Sequence, residues 1–305
     1  MQARWACKPT AERILANCET KIAVLKAEGV FPHLAVILVG DNPASEVYVR
    51  NKIKTCASLG IRSTFHHLDS AVSSAELLSA IDRLNADREV HGILVQLPLP
   101  PQVSDSDVIS RIDPEKDVDG FHPINVGRLS LGEPGLFPCT PMGVMELLHD
   151  SGPSLSGKHA VVVGRSHIVG KPMAQLLLAA NCTVTVIHSR TRDPETLCRE
   201  ADIVVAAVGK PGLVTGTWLK SGAYVVDVGI NELTDEVDVH RLVSQESKKM
   251  AAFRKNGRVL YGDVHYESAV EVAQKVTPVP GGVGQLTIAQ LMANCVTAAE
   301  RSRRS

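Results

Sequence analysis

Apolar residues in this chain come in short unbroken runs separated by stretches of helical period. That alternation predicts an α/β protein built on buried parallel strands. HLAVILVG (33–40) and HGILVQL (91–97) are too uniformly apolar for strands with one wet face. Between them, SAELLSAIDRLN (74–85) has the spacing of an amphipathic helix. A second series runs through KHAVVVG (158–164), TVTVIH (183–188), DIVVAAVG (202–209) and AYVVDVGI (223–230). Val/Ile-rich runs at helix-length separations predict a second domain of doubly wound, Rossmann-like type. The Pro-, Gly- and Asp-rich stretch 113–141 reads as loop and domain junction, and 237–258 as a polar, basic surface insertion. TPVPGGVG (277–284) reads as a tight loop, and LTIAQLMANCVTAAERS (286–302) as a final helix.

Composition narrows the function classes. With 305 residues and 44% hydrophobic content, the chain has room for two domains with separate cores. Its 32 basic and 33 acidic residues nearly cancel, which argues against nucleic acid or an anionic membrane as partner. Seven cysteines without a CxxC pair read as reduced thiols of a cytoplasmic protein. The eleven histidines include no HExxH arrangement, so no protein-held metal is expected. No apolar run is long enough to span a bilayer, and the first residues lack the apolar core of a signal peptide.

The first chemical candidate is GRSHIVGKP (164–172), which follows strand KHAVVVG and precedes the helical MAQLLLAAN. A strand, a glycine turn and a helix start place backbone N–H groups where phosphate oxygens bind. The pattern departs from GxGxxG: Ser166 takes the second glycine position, and the later glycine is displaced to Gly170. The next strand ends in Ser189-Arg190-Thr191, without the acid that would bond the ribose hydroxyls of NAD. A hydroxyl and a guanidinium suit a ribose 2′-phosphate instead, and Arg165 is placed to reach the same group. These residues favour NADP.

The second candidate is SEVYVRNKIK (45–54). Asn42-Pro43 is a credible helix start, and Val49, Ile53 and Cys56 form its apolar stripe. Tyr48 and Lys52 are four apart on one face near the edge of that stripe, while Arg50 and Lys54 face water. A partly desolvated lysine exchanges protons more readily near neutral pH than a solvated one. Taken alone, however, this helix favours a half-buried tyrosine and a lysine stretched towards water. Gln96 is the one amide at the carboxyl end of an apolar strand, where open α/β sheets bind ligands, and its carbonyl suits Lys52. Asp119, in KDVDGFHP (116–123), follows in a loop suited to a ring edge with adjacent N–H donors. The bland alternative makes Asp117 and Asp119 solvated turn residues. Cys139 in PCTP has no base beside it in sequence and reads as a packed thiol.

Together SEVYVRNK (45–52), GILVQLPLP (92–100), PEKDVDGFHPINVGRL (114–129), PCTP (138–141), VVVGRSHIVGKP (161–172), DVGIN (227–231), GDV (262–264) and TPVPGGVG (277–284) closely resemble the bifunctional methylenetetrahydrofolate dehydrogenase/cyclohydrolases. The resemblance implies oxidation of 5,10-methylenetetrahydrofolate by NADP, then hydrolysis of the methenyl product to 10-formyltetrahydrofolate. It implies a folate-side domain over 1–145, completed by a returning C-terminal segment 285–305, an NADP-binding domain over 146–284, and a homodimer. By position, Lys52 corresponds to the lysine that manages water and protons, Gln96 to its partner, Tyr48 to the aromatic wall and Asp119 to the pterin anchor. Val95 and Leu97 flank Gln96 on the substrate side, and Pro280, Gly281, Gly282, Val283 and Gly284 match a loop lining it. Gly164, Arg165, Ser166, Ser189, Arg190 and Ile230 match cofactor positions. Gln285-Leu286-Thr287 departs from the family's usual Pro-Met-Thr.

Two other readings compete. One is a related two-domain NADP dehydrogenase of a small hydroxy acid, which the Tyr48–Lys52 spacing and VQLPLP oppose. The other is a non-catalytic folate- or dinucleotide-binding protein, for which Lys52 and Gln96 would be superfluous.

Overall fold

The computed structural model describes residues 3–303. The chain divides into two compact units, one of Ala11–Cys139 with Thr287–Ser305, the other of Met1–Thr10 with Thr140–Leu286.

In the first unit the order is α1 (Lys8–Ala27), β1 (His33–Val39), α2 (Pro43–Leu59), β2 (Arg62–Leu68), α3 (Ser74–Ala86), β3 (Gly92–Val95), α4 (Asp105–Arg111) and α5 (Pro123–Leu131). The three strands form a parallel sheet in the order β2-β1-β3. The central strand β1 is buried from Leu34 to Val39, as its unbroken apolar run requires. Ala35, Ile37, Ile93 and Val95 pack with Leu77 and Ile81 of α3 in one core. That helix is closed at its start by a reciprocal capping box between Ser73 and Glu76.

The sequence reading missed β2. RSTFHHL lies at the sheet edge and alternates between exposed and half-buried positions, so it needs no apolar run. The reading of 113–141 as loop is corrected as well. Residues Pro123–Leu131 are helical, with His122 as N-cap, Pro123 at the first position and Gly132 as a left-handed C-cap. The Pro and Gly that resemble loop composition are the punctuation of a short helix.

The second unit contains α6 (Cys139–Ser151), β4 (His159–Val163), α7 (Gly170–Ala179), β5 (Thr183–Ile187), α8 (Pro194–Arg199), β6 (Ile203–Ala206) and β7 (Tyr224–Asp227). Next come β8 (Asn231–Leu233), α9 (Glu236–Leu242), α10 (Lys248–Asn256), β9 (Val259–Tyr261), α11 (Tyr266–Val272), β10 (Lys275–Val276) and the start of α12 (Gly284–Ser302). Its main sheet is parallel throughout, in the order β10-β7-β6-β4-β5. Chain order turns back at β4, which has β5 on one side and β6 on the other. Ligands of doubly wound sheets bind beyond the carboxyl ends of strands at such a reversal.

Two further expectations change here. The stretch 237–258, expected as a polar surface insertion, has a core of its own: Val239, Leu242, Met250 and Phe253 from α9 and α10 pack with Leu233, Val259 and Tyr261 of the antiparallel β8–β9 pair. Its polar residues mask a helical stripe too sparse to stand out. The start of the chain, predicted to lie in the first domain, joins the second unit instead. Trp5 N donates to Val276 O at 2.7 Å, and its ring packs edge-on to Tyr224. Among the described residues no helix is long and apolar enough to cross a membrane.

Candidate active site

Helix α2 begins as its sequence requires, with Asn42 Oδ1 accepting from Ser45 N at 3.1 Å. Val49 and Cys56 are buried on its inner face, and Cys56 Sγ lies 3.5 Å from Met292 Sδ of α12. Arg50 and Lys54 are exposed, as predicted, and Arg50 is only loosely paired with Glu46 at 3.9 Å. Lys52 is half-buried one turn after the partly exposed Tyr48. Burial of part of its ring raises the Tyr48 hydroxyl above the ordinary tyrosine range.

Lys52 Nζ donates to Gln96 Oε1 at 2.9 Å. Gln96 Nε2 donates to Leu97 O at 2.7 Å, and Gln96 N to Ile37 O at 2.9 Å. The main-chain bond anchors the residue, and the bond from Nε2 fixes which end of the amide faces the lysine. The bland reading of a lysine stretched into water therefore does not describe this side chain. A buried or half-buried amide needs partners, and here both of its ends have them.

Asp119 is brought to the same place by a loop that extends the sheet. Ile93 N donates to Lys116 O at 2.8 Å, and Asp117 runs parallel to Ile93 of β3. Asp117 is not the solvated turn residue of the bland reading. It is buried and accepts from Gly120 N, His122 N and Asn125 Nδ2 at 3.1, 2.8 and 3.0 Å. Gly120 has φ +76°, and a Cβ there would meet the Phe137 carbonyl carbon at 2.3 Å, so the turn takes no side chain. From α12, Asn294 Nδ2 donates to Val118 O at 2.8 Å and Phe137 O at 2.9 Å, clamping the loop from below.

Asp119 itself is half-buried. Burial pushes its carboxyl above the ordinary carboxylate range; the Lys52 charge pulls it back and Asp117 pushes it further up. Lys52 thus faces an amide by direct bond and a carboxylate through space. Cys139 is buried, donates to Val118 O at 3.2 Å and has a thiol raised well above its usual range, chiefly by burial. It is the packed thiol its sequence context predicts. The sequence gives no sign of Asn125 and Asn294, nor of the bonds Asp117 makes, because only the folded loop reveals what their amides and carboxylates meet.

In the second unit, β4 and β5 end in register at Val163 and Ile187, and Gly164 N donates to Ile187 O at 2.9 Å. The turn after β4 and Ser189-Arg190 after β5 are thereby neighbours, with Arg165, Ser166, Ser189 and Arg190 all exposed. Gly164 has φ +120°, and a Cβ there would meet Ala207 O at 2.2 Å. A Cβ on Gly170 would meet Gly164 O at 2.4 Å. Both glycines are therefore needed for α7 to start so close to the strand. Ser166 does more than replace a glycine: its Oγ accepts from Val169 N and Gly170 N at 3.2 Å, and its carbonyl from Lys171 N at 3.0 Å. The helix start is capped from within, leaving the Arg165 side chain as an open donor. This geometry suits a dinucleotide with a 2′-phosphate: bare glycines for close approach, two arginines and a serine at adjacent strand ends, and no acid after β5.

Ile230 is exposed just after β7, and its Cδ1 would lie 3.9 Å from a Cβ on Gly284. Pro280 and Gly281 are exposed and Gly282 and Val283 buried in the loop before α12. Gln285, where the family usually has proline, closes that loop by donating from Nε2 to Gly281 O at 2.9 Å. Among the described residues no group of His, Cys, Asp and Glu is arranged to hold a metal.

The arrangement is that of a two-unit dinucleotide-dependent enzyme whose other unit carries a lysine–amide pair beside a carboxylate. Residues 5–119 match the catalytic domain of tetrahydrofolate dehydrogenase/cyclohydrolase, and residues 138–303 its NAD(P)-binding domain. The bifunctional protein FolD of Koribacter versatilis is 54% identical over 295 residues, covering 95% of this chain and 96% of the relative. The crystal structure of FolD from Campylobacter jejuni superposes with a TM-score of 0.88 at 43% identity over 99% of both chains. The Trypanosoma brucei FolD structure, complexed with NADP cofactor and inhibitor, gives 0.88 at 38% identity, again over 99% of both chains. The chain belongs to the tetrahydrofolate dehydrogenase/cyclohydrolase family. It is a bifunctional enzyme of one-carbon metabolism, an NADP-dependent methylenetetrahydrofolate dehydrogenase and a methenyltetrahydrofolate cyclohydrolase.

Proposed function

We propose that Lys52, Gln96, Tyr48 and Asp119 carry the folate chemistry, and that the bond from Lys52 Nζ to Gln96 Oε1 is the observation that supports it most. Asp119 accepts from adjacent N–H groups of the pterin edge, and Tyr48 covers the ring face. Val95 and Leu97, on either side of Gln96, border the folate. Lys52 orients the water that adds to the methenyl carbon, takes up its proton and returns it as the ring C–N bond opens. Gln96 accepts from the Lys52 amino group and so holds it in place without adding a second negative charge beside it.

The cofactor, when bound, supplies the acceptor for the hydride removed from the one-carbon bridge. Gly164 and Ser166 border its phosphates, Arg165, Ser189 and Arg190 hold the 2′-phosphate, and Ile230 packs against it. The reading is tested by mixing the protein with methylenetetrahydrofolate and NADP while following NADPH and the methenyl chromophore. Formation of both signals, with loss of the methenyl decay alone in Lys52→Ala, is the expected result. Retained decay in that variant would remove the lysine from its role.

The family resemblance and the edge strand β2 support a homodimer. Phe65 is exposed on this strand, and beside it lies a groove of about 400 Å³ lined by Leu38, Val49, Ile53 and Phe65 together with Glu46, Arg50 and His67. An open strand edge is normally covered or blunted, and a second copy of this chain is the proposed cover. Phe65→Lys should shift the sedimentation coefficient to that of a monomer. Seven free, buried cysteines support a reducing, cytoplasmic setting.

A further inference from the structure

DVGIN (227–231) and GDV (262–264) interlock in a way that the folate chemistry does not use. Asp227 accepts from Asp263 N at 2.9 Å, Val264 N at 3.0 Å and Gly229 N at 3.0 Å. Each aspartate rests on the other segment's glycine. A Cβ on Gly262 would meet Asp227 Oδ2 at 1.7 Å, and one on Gly229 would meet Asp263 Cγ at 2.3 Å. Both carboxylates are buried. Asp263 then reaches the turn after β6: Oδ2 accepts from Val208 N at 2.6 Å and Gly209 N at 3.0 Å, and Oδ1 from Lys210 N at 2.9 Å. Asn231 Nδ2 also donates to Oδ1, at 3.0 Å.

Three consecutive N–H groups converging on one carboxylate form an anion nest, and here the chain fills it with its own side chain. The position of this nest gives it meaning. The turn after β6 faces the turn after β4 across the reversal of strand order, where a doubly wound sheet binds its dinucleotide. Ala207, at the head of the filled nest, donates to Val163 O at 2.8 Å and presents the carbonyl against which Gly164 packs. Asp263 therefore fixes the wall on which the Gly164 turn is seated. Through Asn231 and Asp227 it also fixes the segment carrying Ile230.

We infer that Asp263 is a positioning residue for the dinucleotide: by filling the nest at Val208–Lys210 it holds both walls of the cofactor crevice. It also denies the nest to the cofactor's phosphates, which leaves them to the turn after β4. The inference rests on the cofactor assignment proposed above. Asp263→Asn keeps the shape but sets an NH2 group against two of the four donors, whichever way the amide turns. Its expected effect is a rise of about ten-fold or more in the NADP KM, with kcat at saturating NADP within about two-fold. Hydrolysis of methenyltetrahydrofolate, which needs no NADP, is measured in the same preparation and should be unchanged.

Asn231→Ala, which removes one donor, should give a smaller rise of the same kind, and it carries the test if Asp263→Asn does not fold. An unchanged NADP KM in a folded variant overturns the inference, as does a loss shared equally by both activities. Arg165→Ala is run alongside. If it leaves NADP binding intact, the cofactor assignment fails. If it weakens binding while both nest variants do not, only the role of Asp263 fails.

Discussion

Gln96 joins Lys52 to the backbone: its Oε1 accepts from Lys52 Nζ at 2.9 Å while its Nε2 donates to Leu97 O at 2.7 Å. The lysine is therefore held by a neutral acceptor whose orientation the main chain dictates. Gln96→Glu replaces that acceptor by a carboxylate, ties Lys52 into an ion pair and leaves Leu97 O without its donor. Cyclohydrolase activity, followed by decay of the methenyl chromophore, should fall by about 10²-fold or more, within the range of a lost acid–base group. Activity near the parent level would show that the identity of the acceptor is immaterial.

Asp119 carries a penalty for its position. Its folded pKa lies above the ordinary carboxylate range, mainly through burial, so the folded state binds this proton more tightly than the unfolded chain. The ionised carboxylate costs stability once pH rises above that range, and the cost is complete above the raised pKa. Asp119→Asn should raise the melting temperature at neutral pH, with the gain fading in acid, and weaken folate binding. In the parent, the folate KM should climb as pH falls through the raised pKa, and the variant should lose that limb. A melting temperature unchanged at every pH would refute the penalty.

Arg165 and Ser189 lie exposed at two neighbouring strand ends, where we propose that they set the cofactor preference. Charge-assisted bonds to a phosphate contribute about 1.5–3 kcal/mol each, so replacing both residues by alanine should raise the NADP KM by at least about ten-fold. NAD, which lacks the 2′-phosphate, should be bound about as before. Equal losses for the two cofactors would remove the 2′-phosphate from their account.

All seven cysteines are free and buried. Burial pushes the thiols of Cys7, Cys56 and Cys198 up to about 12 and that of Cys18 to about 11. A thiol that stays protonated and covered does not alkylate. Native protein at pH 8 should take up no iodoacetamide over minutes by intact mass, and denatured protein should take up seven equivalents. Rapid native labelling at Cys139 would reopen a nucleophilic role for it.

Much of the fold was legible along the chain, for identifiable reasons. Runs such as AVVV of β4 and IVVA of β6 are buried end to end, and a stretch wet on neither face must be apolar at every position. β2 was not legible, because an edge strand can be built from RSTFHHL without any such run. The helices at 123–131 and 236–256 were hidden by their own caps and polar faces.

Helical period put Tyr48 and Lys52 on one face, strand ends located Gln96 and the Gly164 turn, and the missing acid after β5 singled out NADP. These are consequences of local geometry, which neighbouring residues set between themselves. Sequence alone left Lys52 between a solvated side chain and a reacting group. Its meeting with Gln96, across 44 residues, depends on two elements packed in one unit. The same holds for the clamp of Asn294 on the Asp119 loop, 176 residues away along the chain, and for the filling of the 208–210 nest by Asp263. Hydrogen bonds of that range have no local signature: an aspartate or asparagine in a loop looks the same whether water or a distant backbone will satisfy it. Only the tertiary fold decides which.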